Sequence, residues 1–387
     1  MNVRSSIKSS MELEITRLEP IGHWLAAMQG SRDGHNAQLR AAYQYNLPTQ
    51  GELIFTGACE FSCQHCIYGS DFARYNRPMP TSNWVRVLTD ISDNLGVDTF
   101  VYGGRSVSDS GLDVMALLRN KYPNARIGLI DNGISMLPVR ERLHDVKANW
   151  IDISFDGQES DHDKQRGRVG SYRSALDGAM WLFRNGVAPK VNILSCLTRL
   201  NRHSIVPMIH ELNDQGFKNF FIVPITVVES ERNMQNLQLS ASEFAEFLDE
   251  LRSSLDALDD AWVEVNMFSA DYAQAVAQLA PDIWGGFKPE RDGLVWKGRS
   301  GEQSNTDLYM WYYPISLTGT RELIVNTNGD LIVPKSMAKG RVSGEHVIGS
   351  LIHDSVKTLA EGLPWAPQFR FYTDELDSEI NLLKEYF

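Results

Sequence analysis

Cys59-Glu-Phe-Ser-Cys63-Gln-His-Cys66 places three of the chain's 4 cysteines on one short stretch, directly after the apolar run Glu52-Leu-Ile-Phe-Thr56. Soft thiolates select iron–sulfur clusters and zinc over hard cations. Three of them on one tight loop can hold three irons of a 4Fe–4S cube, and no fourth cysteine lies near enough for the last iron. A structural zinc site wants four ligands closing a tetrahedron. The one extra ligand in this stretch, His65, is trapped between two cysteines. Disulfides would leave an odd thiol and need an oxidising compartment. The stretch therefore predicts Cys59, Cys63 and Cys66 as ligands of one cluster whose remaining iron is open.

Composition sets the bounds around that loop. At 387 residues with 43% apolar content, the chain can bury one large α/β core plus an appendage. Its 37 basic and 49 acidic residues give a net charge of −12, which argues against nucleic-acid binding as the main task. No run of about eighteen apolar residues is present to span a membrane. The start, Met-Asn-Val-Arg-Ser-Ser-Ile-Lys, has no apolar core of a signal peptide, so a cytoplasmic protein with reduced thiols is expected.

The first fifty residues read as separate and helical, with Glu12 to Met28 and Ala37 to Tyr45 as the candidate helices. From residue 51 the pattern alternates. Strand candidates are Leu53–Thr56, Thr99–Tyr102, Arg126–Ile130, Trp150–Phe155, Lys190–Thr198 and Asn219–Pro224. Amphipathic segments between them include Asn83–Asn94, Gly111–Lys121, Tyr172–Asn185 and Ile205–Gln215. Successive βα units imply parallel strands with crossover helices, either as an open sheet or as a partial barrel.

The cysteine spacing resembles that of the radical S-adenosylmethionine (radical SAM) enzymes, and the likeness extends along the chain. Val101-Tyr-Gly103-Gly104-Arg105 stands where that family carries Gly-Gly-Glu, and Leu129-Ile-Asp-Asn132-Gly133 is similar to its Thr-Asn-Gly turn. Ile153-Ser154-Phe-Asp156-Gly157 followed by His162-Asp163-Lys-Gln-Arg166 resembles the Ser-Leu-Asp-Gly…His-Asp-x-x-Arg pattern of the SPASM/twitch branch. The resemblance covers roughly residues 50–230 and implies a partial (β/α)6 TIM-type barrel with its site at the strand C-termini. It also implies that SAM chelates the open iron and is split to a 5′-deoxyadenosyl radical by an electron from a donor such as flavodoxin or ferredoxin. Carried over residue by residue, it implies a SAM pocket of His65, Tyr68, Gly103, Gly104, Arg105, Asn132, Ser154, Asp156, Arg166, Asn192 and Pro224. Arg105 departs from the family's Glu and reverses the charge there. A cation pointing inward would repel the SAM ammonium.

Glu322-Leu-Ile-Val-Asn-Thr-Asn-Gly329-Asp-Leu-Ile-Val-Pro334 reads as a hairpin with an Asn-Gly turn. Together with the Ile348-Gly349 turn and a following helix it resembles a SPASM segment, yet no cysteine follows Cys196, so no thiolate-held auxiliary cluster is expected. The expected domains are a helical extension (1–50), the barrel (51–268) and a small SPASM-like α+β cover (269–387). Gly285 to Asn305 is expected to be a loop over the barrel mouth, with Trp284, Trp296, Trp311, Tyr312 and Tyr313 in or beside it.

Cys196 falls on the inward set Asn192, Leu194, Cys196 and Thr198 if Val191, Ile193 and Leu197 face the helices. An inward thiol is a candidate hydrogen-atom donor to a substrate radical, and equally a small buried hydrophobe. The leading functional expectation is hydrogen abstraction from a small polar substrate (a sugar, cyclitol or amino-acid derivative) in natural-product biosynthesis, ending in epimerisation or redox-neutral elimination. Peptide maturation is the alternative within the family. A non-catalytic metal-binding protein on a degenerate barrel is the alternative outside it.

Overall fold

The computed structural model describes residues 48–68, 77–104, 106–226, 232–290, 293–299, 305–314, 322–332, 346–362 and 381–382. The two N-terminal helix candidates and Arg105 lie outside them. Seven strands stand side by side in chain order: β1 (Gln50–Leu53), β2 (Thr99–Tyr102), β3 (Arg126–Asp131), β4 (Trp150–Ser154), β5 (Val191–Leu197), β6 (Asn219–Pro224) and β7 (Trp262–Met267). Each neighbouring pair is parallel. The crossovers are built from α1 (Thr81–Asp90), α2 (Asp109–Lys121), α3 (Glu159–Arg166), α4 (Ser171–Asn185), α5 (Ile205–Asp214) and α6 (Ala241–Ser254), with α7 (Ala270–Leu279) after β7. Between β3 and β4 a 3-10 turn and one helical turn suffice.

Period-two alternation sorts the strands' side chains onto two faces. Phe100 and Tyr102, Ile127 and Leu129, Ile151 and Ile153, Ile193 and Leu197, Phe220 and Ile222, and Val263 and Val265 join one continuous apolar core with the helices. Phe55 packs there between Trp84 and Tyr102, with centroids 4.5 and 4.6 Å away. The other face carries Glu52, Asp152, Ser154, Asp156, Asn192, Cys196, Glu264 and Asn266, a polar interior that an ordinary core would not contain. Local signals fix the helix ends: Ser108 accepts the Gly111 N–H at the start of α2, and Ser240 and Glu243 form a reciprocal capping box on α6.

The mixed α/β fold with a central parallel sheet is as expected, and it is wider than six strands. Among the described residues the sheet has 13 strands, in the order β13-β12-β11-β1-β2-β3-β4-β5-β6-β7-β10-β9-β8. β7 was not anticipated, although Trp262-Val-Glu-Val-Asn-Met alternates cleanly. The stretch 285–305 is corrected from a loop: it holds β8 (Lys288–Glu290) and β9 (Gly293–Arg299), antiparallel to each other, and β9 pairs with β10 (Asp307–Tyr312). Two of its glycines, Gly286 and Gly298, lie against the Trp296 ring. A Cβ at Gly298 would lie 1.9 Å from the Trp296 ring. β10 runs parallel to β7 and extends the barrel wall.

At the opposite edge β11 (Glu322–Val325) runs parallel to β1 and turns through Gly329, at φ +85°, into antiparallel β12 (Asp330–Ile332). β13 (Val347–Ser350) pairs with β12, and α8 (Val356–Gly362) follows. The expected hairpin is present and hydrogen-bonded into the central sheet. Among the described residues no helix is long and apolar enough to cross a membrane.

Candidate functional site

The cysteine stretch leaves the end of β1 and lies against the C-terminal end of α3. The Gln64 backbone N–H donates to the Gln165 carbonyl at 3.0 Å, and the Gln64 side-chain amide donates to the Lys164 carbonyl at 3.1 Å. The loop thereby satisfies carbonyls that the last turn of a helix leaves without intrahelical partners. Gly167 ends α3 at φ +67°, where a Cβ would meet the Ser62 carbonyl at 2.8 Å, so this close approach requires glycine. Cys59, Cys63 and Cys66 are all free thiols and half-buried. Burial pushes the Cys63 thiol up to about 11 against the pull of Arg166. Among the described residues no three cysteine, histidine or carboxylate side chains converge on one ion.

Asp156, just past β4, is the centre of the polar interior and 0% exposed. Its Oδ1 accepts the Cys196 backbone N–H at 2.8 Å, and its Oδ2 accepts Arg166 Nε at 2.5 Å. His65 Nε2 lies 3.7 Å from Oδ2. The Asp156 N–H donates to His162 Nδ1 at 3.1 Å. Desolvation alone would raise this carboxyl, but the charge of Arg166, helped by the Cys196 N–H, outweighs it and holds it below the usual range. Burial lowers His65 and His162 to about 4, so both are neutral near pH 7. Arg166, at the end of α3, reaches from Asp156 toward Cys63, with Nη1 4.0 Å from Sγ.

A further layer supports this pair. Gln165 and Asn201 amides both donate to the Cys196 carbonyl, at 2.9 and 2.8 Å, and Thr198 Oγ1 donates to Gln165 Oε1 at 2.6 Å. Thr198 was expected on the inward face without a task, and Gln165 and Asn201 had no role in the sequence reading, since nothing local in their stretches marks them.

The remaining expected pocket residues fall into different positions. Gly103 and Gly104 close β2. A Cβ at Gly103 would lie 3.1 Å from Glu52 Oε1, and one at Gly104, at φ +86°, 3.0 Å from Tyr68 Oη. Tyr68 is buried and donates to Glu52 Oε1 at 2.8 Å. Its hydroxyl therefore serves this contact. Asn132 Oδ1 caps its own turn, accepting the Ile134 and Ser135 N–H groups at 2.8 and 2.9 Å. Ser154 ends β4 on the interior face. Asn192 sits one layer deeper, its amide donating to Asp152 at 2.7 Å while its Oδ1 is buried without a partner. Pro224 shares the helix-facing side with Phe220 and Ile222, so its ring points away from the interior. Cys196 does face inward, between the Asp156–Arg166 pair and the apolar group Ile225, Met234 and Leu237. Burial raises its pKa far above the usual thiol range, which keeps the S–H intact.

The residues fit a 4Fe–4S cluster carrying SAM. Three thiols share one loop, glycine backbone stands beside it, and His65 Nδ1 is buried without a protein partner at the same place. Residues 53–212 match the sequence profile of the radical SAM superfamily. The sporulation killing factor maturation protein SkfB of Bacillus subtilis is 25% identical over 133 residues, covering 34% of this chain and 32% of SkfB. Pre-heme d1 synthase of Dinoroseobacter shibae is 24% identical over 169 residues, covering 43% of this chain and 41% of that protein. The PqqA peptide cyclase of Rhodopseudomonas palustris is 28% identical over 177 residues, covering 44% and 45%. The chain thus spans less than half the length of each of these curated relatives. The structure of Streptococcus suis SuiB bound to its precursor peptide SuiA superposes with TM-score 0.58 at 10% identity, over 85% of this chain and 69% of SuiB, a likeness of fold.

Proposed function

From a chain that carries a radical SAM domain, and so works with a 4Fe–4S cluster and SAM, we propose an enzyme that modifies a peptide. The observation that carries this reading is the similarity to a maturation protein and to a peptide cyclase, over 34% and 44% of this chain. It replaces the small polar molecule as the favoured substrate. When bound, the cluster and SAM supply a 5′-deoxyadenosyl radical that takes a hydrogen atom from a substrate carbon.

The chain's own residues then have separable tasks. Cys59, Cys63 and Cys66 hold three irons. Arg166 offers its outer nitrogens to the SAM carboxylate, and Asp156, with both oxygens engaged by protein, keeps that guanidinium in place. Gly103 and Gly104 give backbone access for the amino group, with Ser154 and Asn132 on adjacent strand ends. Cys196 is the candidate donor of a hydrogen atom to the substrate radical. That step makes a C–H bond, breaks the S–H bond and leaves a thiyl, which an external one-electron donor of the flavodoxin or ferredoxin class and a proton restore. The proposed compartment is the reducing cytoplasm.

The test is incubation of the reconstituted protein with SAM, a reductant and synthetic peptides taken from short reading frames beside its gene. Peptide-dependent formation of 5′-deoxyadenosine with a mass change in the peptide is the expected result. Stimulation by sugars or free amino-acid derivatives, and by no peptide, would overturn it. Cys196→Ser should still form 5′-deoxyadenosine but yield little of the normal product; full turnover to that product would reduce Cys196 to core packing.

A further inference from the structure

The interior face of β7 and β10 carries polar and aromatic groups that the reading above does not use. Glu264 lies half-buried on β7 and accepts the Trp262 indole N–H at 3.1 Å. Burial raises its pKa, and among the described residues no cation pairs with it. Two residues on, Asn266 is only 8% exposed and its Oδ1 is buried without a hydrogen-bond partner. Beside them Tyr313 stacks between Phe268 and Trp311, with centroids 5.2 and 5.3 Å away and interplanar angles of 19° and 7°.

The ladder puts this wall at the depth of the site. Cys196 is opposite Val223, and Asn266 is opposite Trp311. Val223 and Asn266 are neighbours one residue beyond the Ile222–Val265 pair. Asn266 is therefore two strands, roughly 10 Å, from Cys196.

A partly buried carboxylate without a cation is unfavourable, and so is a buried amide oxygen without a donor. One ligand group relieves both. We propose that this wall seats a cationic group of the substrate, an alkylammonium or guanidinium, with Glu264 as counter-ion, Asn266 Oδ1 as acceptor and the rings of Trp311, Tyr313 and Phe268 as a π surface. Cations favour aromatic faces when partly desolvated. The fold already carries one such contact nearby, with Lys297 Nζ 5.5 Å from the Tyr309 ring centroid. Under the peptide reading, on which this identification of its source rests, the group is the side chain of a lysine or arginine. Its own carbons are then held toward Cys196.

The test uses the reconstituted full chain with SAM and calorimetric titration of four probes. They are the acetylated, amidated tripeptides Gly-Lys-Gly, Gly-Arg-Gly and Gly-norleucine-Gly, and n-pentylamine. The lysine or arginine peptide should bind about tenfold or more tightly than the norleucine peptide, as expected for loss of a charge-assisted contact. Glu264→Gln should remove that preference and Trp311→Leu should reduce it, with iron content and melting temperature unchanged. Equal binding of the norleucine peptide, a preference that survives in Glu264→Gln, or no binding by any cationic probe would overturn the cation seat. Glu264-dependent binding of pentylamine without binding of any tripeptide would support the seat and remove the peptide reading. Glu264-independent binding of all three tripeptides would do the reverse.

Discussion

At Asp156 a fully buried carboxylate takes a backbone N–H from β5 and a guanidinium N–H from α3, so two elements of the barrel close on one side chain. Asp156→Ala would leave Arg166, only 11% exposed, as an uncompensated charge. It should lower unfolding free energy by about 3–5 kcal/mol in denaturant titrations. Asp156→Asn keeps an acceptor for the Cys196 N–H and should cost less. Arg166→Ala should weaken SAM binding by about 1.5–3 kcal/mol while iron content stays constant. Unchanged SAM affinity would detach Arg166 from the cofactor. In the sequence, Ser154 at the end of β4 and then Asp156 and Arg166 stand in a recognisable order. What each one touches was not legible there. Asp156 and Cys196 are forty positions apart in the chain, and only the parallel pairing of β4 with β5 makes them neighbours.

Along the elements, helix α6 shows how a cap and an ion pair combine. Glu243 completes the capping box with Ser240, and both its oxygens accept from Arg199 at 3.0 Å. These hydrogen bonds, from Arg199 first and then the Ser240 backbone, lower Glu243 from 4.5 to about 2. A depressed carboxylate contributes stability above its unfolded pKa and loses it as pH falls through the folded value. The contribution should therefore be complete above about pH 4.5 and fade toward pH 2. Arg199 is 44% exposed, so solvent screening limits it to about 1 kcal/mol. Glu243→Gln should cost about that much at pH 7, and the gap to wild type should narrow between pH 4.5 and 2 in thermal melts. A gap independent of pH would contradict the assignment of this stability to the ionised carboxylate. Helix α2 was readable in advance from the apolar spacing of Gly111–Lys121, although its true start at Asp109, behind the Ser108 cap, was not. β9 was not, because Gly, Lys and Arg around Trp296 look like a loop until the ring is packed against Gly298.

For the molecule as a whole, repetition of βα units made the central parallel sheet readable from sequence and the family resemblance added the barrel, whereas the flanks were not readable. β10 and β11 carry ordinary strand patterns, and nothing local to them specifies parallel pairing with β7 and β1; the edges of the sheet settle that. The polar interior so enclosed brings the cysteine loop, the Asp156–Arg166 pair and Cys196 to one end of the barrel. The measurement that tests this most directly is 5′-deoxyadenosine formed from SAM by the anaerobically reconstituted, reduced protein, with iron counted in the same sample. Wild type should carry about four irons per chain and cleave SAM, and Cys63→Ala should lose both. A wild-type protein that binds one zinc and leaves SAM intact, or a Cys63→Ala variant that still cleaves it, would contradict the account.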